Sequence, residues 1–146
     1  SNILDIGSND GTFLNFFLKD KTKANFFGMD PSAKKFIEYY NKKINLITDY
    51  FNFNKINKDL EYKKTKQKFS LITSFAMFYD IEDPNLFCKD INKLLDKNGL
   101  WVLEFSYFPL LLKNLTYDQI CHEHITYYTL TTFKNIIHKM INDELH

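Results

Sequence analysis

Short apolar runs alternate with longer stretches of mixed character along the chain. The apolar runs predict five strands, which we place at Asn2–Ile6, Phe26–Met29, Ile44–Ile47, Phe69–Phe75 and Leu100–Phe105. Four other stretches carry apolar residues at helical spacing, and they predict helices over about 11–19, 31–40, 84–95 and 131–141. Strands that alternate with helices predict parallel βαβ units, packed as a three-layer α/β sandwich.

Three details complete the predicted chain path. Asn98 and Gly99 are interpreted as a left-handed cap that closes the helix opened by Asp83 and Pro84. Residues 52–68 are rich in Lys and Asn, which indicates a solvated helix or loop, and residues 110–112 are ambiguous. We find no internal repeat and no linker, so residues 1–146 are expected to form one domain.

Length and composition exclude several classes of protein. A chain of 146 residues buries roughly 70% of its unfolded surface, which is enough for a real core. With 45% apolar and 25% charged residues it is not a disordered tail, and no apolar run approaches the ~18 residues of a membrane span. A net charge of +1 gives no electrostatic footprint for nucleic acid. We therefore expect a small-molecule substrate, and neither a nucleic acid nor a membrane as partner.

The basic and sulfur-containing residues narrow the chemistry further. All 19 basic residues are Lys, so anions must be bound by Lys, backbone N–H groups or helix ends rather than by a guanidinium. The two cysteines, Cys88 and Cys121, have neither zinc-ligand spacing nor the number that a disulfide scaffold needs. A reducing, cytoplasmic setting without a bound metal is the expectation.

The segment DIGSNDG follows the first predicted strand, where a nucleotide-binding loop belongs. Gly7 permits a tight turn and Gly11 permits a helix to start close to the sheet. The spacing Gly-x-x-x-Gly, with Asn9 in the middle, is not the dinucleotide fingerprint. Asp5 and Asp10 disfavour a pyrophosphate and favour a ligand with a cationic or zwitterionic end. The alternative is an ordinary glycine turn.

Carboxylates follow the second and third predicted strands. Asp30 lies 19 positions after the last loop glycine, close to the spacing of an acidic residue that binds both ribose hydroxyls. Alternatively, Asp30 caps a helix that begins at Pro31. Asp49 is placed to accept a hydrogen bond from an adenine amino group, with Tyr50 or Phe51 against the ring, although an ordinary strand-end Asp is nearly as good an interpretation.

This order of glycine loop, ribose acid and adenine contact resembles the class I S-adenosylmethionine-dependent methyltransferases. The resemblance becomes closer to one family, the sugar C-methyltransferases that act on nucleotide-linked 4-keto-deoxysugars, in segments 76–84, 99–107 and 117–128. The whole resemblance extends from Leu4 to about Leu130. It implies a Rossmann-like, doubly wound, mostly parallel sheet of the methyltransferase type. It also implies S-adenosyl-L-methionine as cofactor, a nucleotide sugar as substrate, and Pro31 and Ser74 among the cofactor-binding residues.

The stretch Cys-His-Glu-His within residues 117–128 is the most specific part of the resemblance. C-methylation removes a proton from carbon beside a carbonyl, and a general base near neutral pH is most often His with a carboxylate beside it. In the family pattern His124 takes this proton, and Glu123 holds substrate or tunes the base. Tyr107 and Tyr117 contact the sugar or stabilise the enolate oxygen. Cys121 stands where some members have Tyr, which separates this chain from them.

Other interpretations of the same residues remain. The His-x-His pair could bind a metal or lack a function, and the enzyme could be an O- or N-methyltransferase of another small molecule. A third hypothesis is a non-catalytic module that binds a partner chain, or a second copy, through an open edge at the fifth strand. The family also has an N-terminal zinc-binding domain, a C-terminal domain and two further strands. We therefore expect residues 1–146 to be an S-adenosylmethionine-binding methyltransferase domain truncated after the fifth strand and its following helix, either as a fragment of a longer enzyme or as a reduced or split protein.

Overall fold

A computed structural model describes residues 1–19, 22–65, 67–122 and 124–144. Five parallel strands form one sheet in the order β3-β2-β1-β4-β5. The strands are β1 (Asn2–Ile6), β2 (Asn25–Met29), β3 (Ile44–Ile47), β4 (Phe69–Phe75) and β5 (Leu95–Glu104). Because the strand order reverses direction between β1 and β4, the carboxyl ends of these two strands flank the switch point where such sheets bind ligands.

The described helices lie between and after the strands. They are α1 (Thr12–Lys19), α2 (Phe53–Lys58), α3 (Leu60–Thr65), α4 (Pro84–Leu94), α5 (Phe108–Asn114) and α6 (Leu130–Glu144). Short 3₁₀ turns occupy Pro31–Lys35, Ile37–Tyr39, Phe78–Asp80 and Tyr117–Gln119. Within the described ranges, no helix has the length and apolar character that a membrane crossing demands.

Apolar side chains cover both faces of the sheet, which is why every residue of β1 is buried. On one face Leu4 packs in a large cluster with Ile56 of α2 and Ile91 of α4. On the other face Ile3 packs with Leu14 of α1. The three-layer α/β sandwich predicted from the alternating pattern is therefore confirmed.

The start of β5 corrects one prediction. The strand begins at Leu95, which pairs with Phe69, whereas Leu100 pairs with Leu71, so the extra residues between them form an irregularity in the ladder. Gly99 has no positive φ and caps no helix. A Cβ at Gly99 would lie 2.8 Å from the carbonyl oxygen of Phe69. Close approach of the β4 backbone, and not a left-handed turn, is what requires glycine there.

The helix predicted over residues 31–40 is also wrong. The chain makes two 3₁₀ turns instead, closed by i→i+3 bonds from the Phe36 N–H to the Ala33 carbonyl and from the Tyr40 N–H to the Ile37 carbonyl. Residues 52–68 contain α2 and α3, and residues 110–112 belong to α5. The last helix extends beyond both predicted ends.

β5 forms one edge of the described sheet. Leu100 in this strand is 61% exposed, whereas Trp101, Val102 and Leu103 are partly buried. Beyond the strand, a single parallel bridge joins Tyr107 to Tyr128. This bridge brings the chain after α5 back towards the carboxyl end of the sheet, next to the candidate site.

Candidate functional site

The glycine loop, residues 5–11, turns sharply at the carboxyl end of β1. Gly7 and Gly11 both have φ of 75°, and Asn9 between them has φ of 45°. A Cβ at Gly7 would lie 3.2 Å from Cγ of Met77, and a Cβ at Gly11 would lie 2.7 Å from carbons of the Tyr40 ring. Both the backbone conformation and the crowding therefore require glycine at these two positions.

Asp30 joins the glycine loop to the turn that follows β2. Its Oδ2 accepts the Asn9 backbone N–H at 2.9 Å, and its Oδ1 accepts the backbone N–H and the hydroxyl of Ser32, both at 2.6 Å. The side chain is only 8% exposed. The capping role considered for Asp30 is therefore present in the structure, and its role as a ribose ligand stays a prediction.

Tyr40 is a site residue that the sequence analysis missed. Its hydroxyl donates to the Asn9 carbonyl at 2.9 Å and lies 2.8 Å from the Ser8 hydroxyl, which must then act as donor to Tyr40. Burial raises the pKa of Tyr40 to about 12, and the nearby Asp30 and Asp5 add to the shift, so the hydroxyl keeps its proton at neutral pH. Only the crowding against Gly11, which is invisible in the sequence, reveals this contact.

Asp5 is a buried carboxyl group beneath the glycine loop. Thr73 of β4 donates a hydrogen bond to it at 2.6 Å. Burial raises the pKa of Asp5 to about 6, with a further contribution from Asp30 and an opposing one from the Thr73 hydrogen bond. Asp5 also lines a side cavity of about 290 Å³ together with Asn9, Asp10, Phe13 and other residues of this region. A cationic group in this side cavity would stabilise the ionised carboxylate.

The main cavity, of about 450 Å³, opens at the carboxyl ends of β1 and β2 and under the segment that follows β4. Five residues predicted to bind the cofactor line it, Gly7, Asp30, Pro31, Tyr50 and Phe51, and their binding role stays a prediction. Its remaining walls were not predicted. Most of them come from the connection between β4 and α4 and from α4 itself: Met77, Asp80, Ile81, Glu82, Asp83, Leu86, Phe87 and Asp90. The others are Ile6 at the end of β1, Met29 at the end of β2, and Asn52 just before α2.

Six predicted cofactor residues do not line the main cavity: Asp5, Asn9 and Asp10 line the side cavity, and Gly11, Asp49 and Ser74 line neither cavity. Asp49 points into solvent, where Lys55 binds it at 2.7 Å; this hydrogen bond, followed by the Tyr50 N–H, lowers the pKa of Asp49. Ser74 is fully buried and accepts a hydrogen bond at 2.9 Å from Nε1 of Trp101. The Asp49 side chain is thus bound by Lys55 at the surface and that of Ser74 by Trp101 in the core, and a cofactor-binding role for either residue stays a prediction.

Asp10 lies at the end of the glycine loop, just before α1. Its Oδ1 accepts the Thr12 backbone N–H at 2.9 Å, and this bond is the main reason that the pKa of Asp10 is lowered. The carboxylate thereby satisfies an N–H group at the start of α1 that has no partner within the helix. It lines the side cavity beside Asn9.

His124 is partly buried and has a defined hydrogen bond. Its Nδ1 lies 2.8 Å from the carbonyl oxygen of Gln119, and its backbone N–H donates to the Cys121 carbonyl at 3.2 Å. Because a carbonyl can only accept, Nδ1 must carry a proton, and Nε2 of the neutral ring then has a free lone pair. The Tyr79 ring packs against the imidazole with 4.3 Å between ring centroids.

The other predicted catalytic residues are more dispersed. Tyr107 is 40% exposed and Tyr117 is 66% exposed, and neither side chain contacts His124 among the described interactions. His122 is exposed, and Glu123 lies outside the described residues. His124 itself does not line the main cavity. Tyr79 connects the two regions, since it stands in the chain between cavity-lining Met77 and Asp80.

The sequence and the fold were compared with those of known proteins. A family model described as a methyltransferase domain matches residues 1–140. No curated protein is significantly similar to the sequence. The plantazolicin methyltransferase BpumL, solved with a triazolic desmethylPZN analog and SAH, matches with a TM-score of 0.74 and 19% identity, over 97% of this chain and 55% of that chain.

Two further solved structures have the same architecture. The complex between the Haloferax volcanii methyltransferase activator Trm112 and a methyltransferase matches with a TM-score of 0.70 and 16% identity, over 95% of this chain and 60% of that chain. The YcgJ protein of Bacillus subtilis matches with a TM-score of 0.65 and 15% identity, over the same shares. This chain thus spans 55–60% of the length of the three solved chains.

The family match covers residues 1–140, and the three solved structures overlay 95–97% of this chain with TM-scores of 0.65–0.74. These TM-scores establish the fold, whereas sequence identities of only 15–19% say nothing about the substrate. The chain belongs to the methyltransferase domain family, and its fold is that of the class I S-adenosylmethionine-dependent methyltransferases.

Proposed function

We propose that the chain is the cofactor-binding and base-carrying part of an enzyme that C-methylates a nucleotide-linked 4-keto-deoxysugar through an enolate. The observation that carries this proposal is the arrangement of His124, whose Nδ1 is bound by the Gln119 carbonyl and whose Nε2 is left as proton acceptor. Transfer to oxygen or nitrogen needs no base that removes a proton from carbon. An oriented, half-buried imidazole has the properties of the base that carbon methylation requires.

The residues around the two cavities fit S-adenosylmethionine. Asp30 at the carboxyl end of β2 can accept ribose hydroxyl groups, and Tyr50 and Phe51 supply apolar surface for adenine. Gly7 lines both cavities, and because it has no side chain its backbone can approach a ligand closely. When bound, the cofactor supplies an electrophilic sulfonium methyl group.

The buried carboxyl group of Asp5 suits the amino-acid end of this cofactor. A carboxylate in an apolar setting is destabilised when ionised, and a neighbouring ammonium group restores the ionised form. The side cavity that Asp5 shares with Asn9 is the adjacent space in which such a group fits. Asp10 at the mouth adds a second negative charge there.

His124 then performs the proton transfer. Its Nε2 takes the proton from the carbon next to the sugar carbonyl, and the electron pair of the broken C–H bond moves into the enolate. The carbonyl oxygen of Gln119 holds the Nδ1 proton and stabilises the imidazolium that forms. Tyr107 and Tyr117 are proposed to contact the sugar or to stabilise the enolate oxygen, and Glu123 to hold substrate or tune the base.

Deuterium exchange isolates this proton transfer. The complete protein is incubated in D₂O with a thymidine diphosphate-linked 4-keto-6-deoxyhexose, without cofactor, and NMR follows exchange at the carbons beside the keto group. A positioned general base contributes about 10²–10⁴-fold, so His124→Asn should slow exchange by that factor. The exposed His122 provides the matched control, His122→Asn, which should exchange normally. Exchange that is lost in the His122 variant and kept in the His124 variant would reverse the assignment.

A second candidate is N-methylation of an amine that binds as a cation, loses its proton to solvent and then attacks the methyl group with the freed lone pair. It is favoured by the acidic character of the main cavity's outer wall, where Asp80, Glu82 and Asp83 stand close together in the chain and no Lys is among the described lining residues. The solved neighbour BpumL was crystallised with a desmethylPZN analog rather than a sugar. Under this alternative, His124→Asn would leave methyl transfer to an amine acceptor unchanged.

A further inference from the structure

Tyr79 stands where the main cavity and the His124 region meet. It belongs to the 3₁₀ turn Phe78–Asp80, directly after β4, and its chain neighbours Asp80 and Ile81 line the main cavity. On its other side, the Tyr79 ring lies 4.3 Å from the His124 ring, centroid to centroid, at an interplanar angle of 50°. The Tyr79 carbonyl also accepts the Thr126 N–H at 3.1 Å. Tyr79 thus contacts the His124 segment through side chain and backbone.

A single hydrogen bond does not define the direction of an imidazole ring. The bond from Nδ1 of His124 to the Gln119 carbonyl fixes one distance, but the two side-chain torsion angles of His124 can still vary together while that distance is kept. A second contact on the ring face removes this freedom. The Tyr79 ring supplies it, whereas the Tyr127 ring is more distant, with 6.3 Å between centroids.

The phenol of Tyr79 remains neutral in this setting. Burial raises the pKa of Tyr79, and the negative charges of Asp80 and Glu104 and the ionisable thiol of Cys121 act in the same direction. The charged or ionisable groups that face Tyr79 are therefore Asp80 of its own turn, Glu104 of β5, and Cys121, three residues before His124. The side-chain contact described between Tyr79 and His124 is between their rings, so phenylalanine should serve as well as tyrosine.

We propose that Tyr79 is the positioning residue of His124, fixing the plane of the imidazole and hence the direction in which Nε2 points. The inference rests on the proposed role of His124 as the base. Because Tyr79 shares its turn with residues of the cavity wall, it also sets the base in register with the cavity in which the cofactor is proposed to bind.

NMR on the 146-residue chain tests the geometry without any substrate. We expect cross-relaxation between Tyr79 ring protons and His124 ring protons, and long-range ¹H–¹⁵N spectra should show His124 protonated at Nδ1 alone when neutral. Tyr79→Phe should keep this single tautomer, and Tyr79→Leu should give a mixture of both. The matched control is Tyr39→Leu, which removes an exposed tyrosine elsewhere and should change nothing at His124. Absent cross-relaxation in the unmodified chain overturns the inference even if Tyr79→Leu does not fold.

Turnover measurements on the complete protein separate the inference from the proposed function. Tyr79→Leu should lower kcat between about tenfold and a hundredfold, as expected for a misplaced reacting group, and leave KM for S-adenosylmethionine unchanged. Tyr79→Phe should restore kcat. In a His124→Asn background, Tyr79→Leu should cause no further loss, because both changes act on one step.

The outcomes differ in what they reject. If His124→Asn leaves turnover intact, the proposed enolate chemistry fails, and the NMR result alone then decides whether Tyr79 orients the imidazole. If His124→Asn abolishes turnover while Tyr79→Leu leaves both kcat and the tautomer as in the unmodified protein, the positioning role fails and the base assignment stands. Additive losses in the double variant would show that Tyr79 acts elsewhere and would overturn the inference.

Discussion

The Tyr40 hydroxyl lies 2.9 Å from the Asn9 carbonyl oxygen, to which it donates a hydrogen bond across the glycine loop. Asn9 has a left-handed backbone, which is unfavourable for a residue other than glycine, and Asp30 accepts its N–H from the opposite side. The strained residue is therefore held at both of its backbone polar groups. The loop conformation depends on two side chains that are remote from it in sequence.

We predict that Tyr40→Phe weakens cofactor binding. The change removes the hydrogen bond to Asn9 and the one from Ser8, each worth about 1 kcal/mol, so the dissociation constant for S-adenosylhomocysteine should rise by up to roughly thirtyfold. Calorimetric titration measures it. Tyr39→Phe is the matched control, since it removes a hydroxyl from the exposed neighbouring residue. Equal affinity of the Tyr40 variant and the unmodified protein would show that the loop needs no such support.

Replacing Asp30 should affect binding more strongly. Asp30→Ala removes a charged hydrogen-bond acceptor, a loss of about 1.5–3 kcal/mol, and we expect affinity for S-adenosylhomocysteine to fall roughly 10- to 150-fold. Ser32→Ala separates the two roles of the carboxylate, because it deletes only the hydroxyl that donates to Oδ1. If both variants weaken binding equally, the cap matters and the ribose assignment is wrong.

The raised pKa of Asp5 predicts an unusual pH dependence of stability. Its folded value is about 6. The pKa of an unfolded Asp is about 3.9, so between pH 3.9 and pH 6, roughly, the folded chain binds a proton that the unfolded chain has lost. The free energy of unfolding therefore falls as the pH rises through this window. A shift of two units corresponds to about 3 kcal/mol. Asp5→Asn should therefore flatten the dependence and be the more stable form at pH 7.

Urea denaturation at several pH values between 4 and 7 tests the Asp5 prediction. The unmodified chain, denatured in parallel at each pH, is the reference against which the slope of Asp5→Asn is compared. A parallel decline of stability in Asp5→Asn and in the unmodified chain would assign the titration to another group.

The open edge at β5 predicts self-association. Leu100 presents a large apolar side chain at an edge strand, and such edges pair with other chains when nothing covers them. We expect sedimentation velocity of the 146-residue chain to show a concentration-dependent dimer. Leu100→Lys, which places a charge on the edge, should shift the equilibrium to monomer. A chain that stays monomeric at high concentration would refute this prediction.

The pattern of apolar residues was sufficient for the strands, because a strand buried on both faces has to be apolar along its length. β1 and β4 lie where they were predicted for this reason. The beginning of β5 was missed because its first residues, from Leu95, are largely polar and pair with β4 only through an irregular ladder. That pairing depends on contacts between strands, which a local pattern does not contain.

The candidate site was predictable to a similar degree. Residues directly after strands, such as Asp30 and Phe51, reach the main cavity because the carboxyl ends of parallel strands meet at one edge. Asp49 is two residues from Phe51 and yet faces away, since Lys55 of α2 binds it. Which of several adjacent side chains turns inward depends on such partners, and these are known only once the helices are placed.

One carboxylate, that of Asp30, is shared by the end of the glycine loop and the start of the next turn. A ligand that donates a further hydrogen bond to this carboxylate therefore stabilises the glycine loop and the turn after β2 together. Amide hydrogens of Asn9 and Ser32 should therefore exchange with solvent at rates that fall together when S-adenosylhomocysteine is added, as two reporters of a single opening event. The sheet's switch point thereby holds a cooperative unit far smaller than the domain that surrounds it.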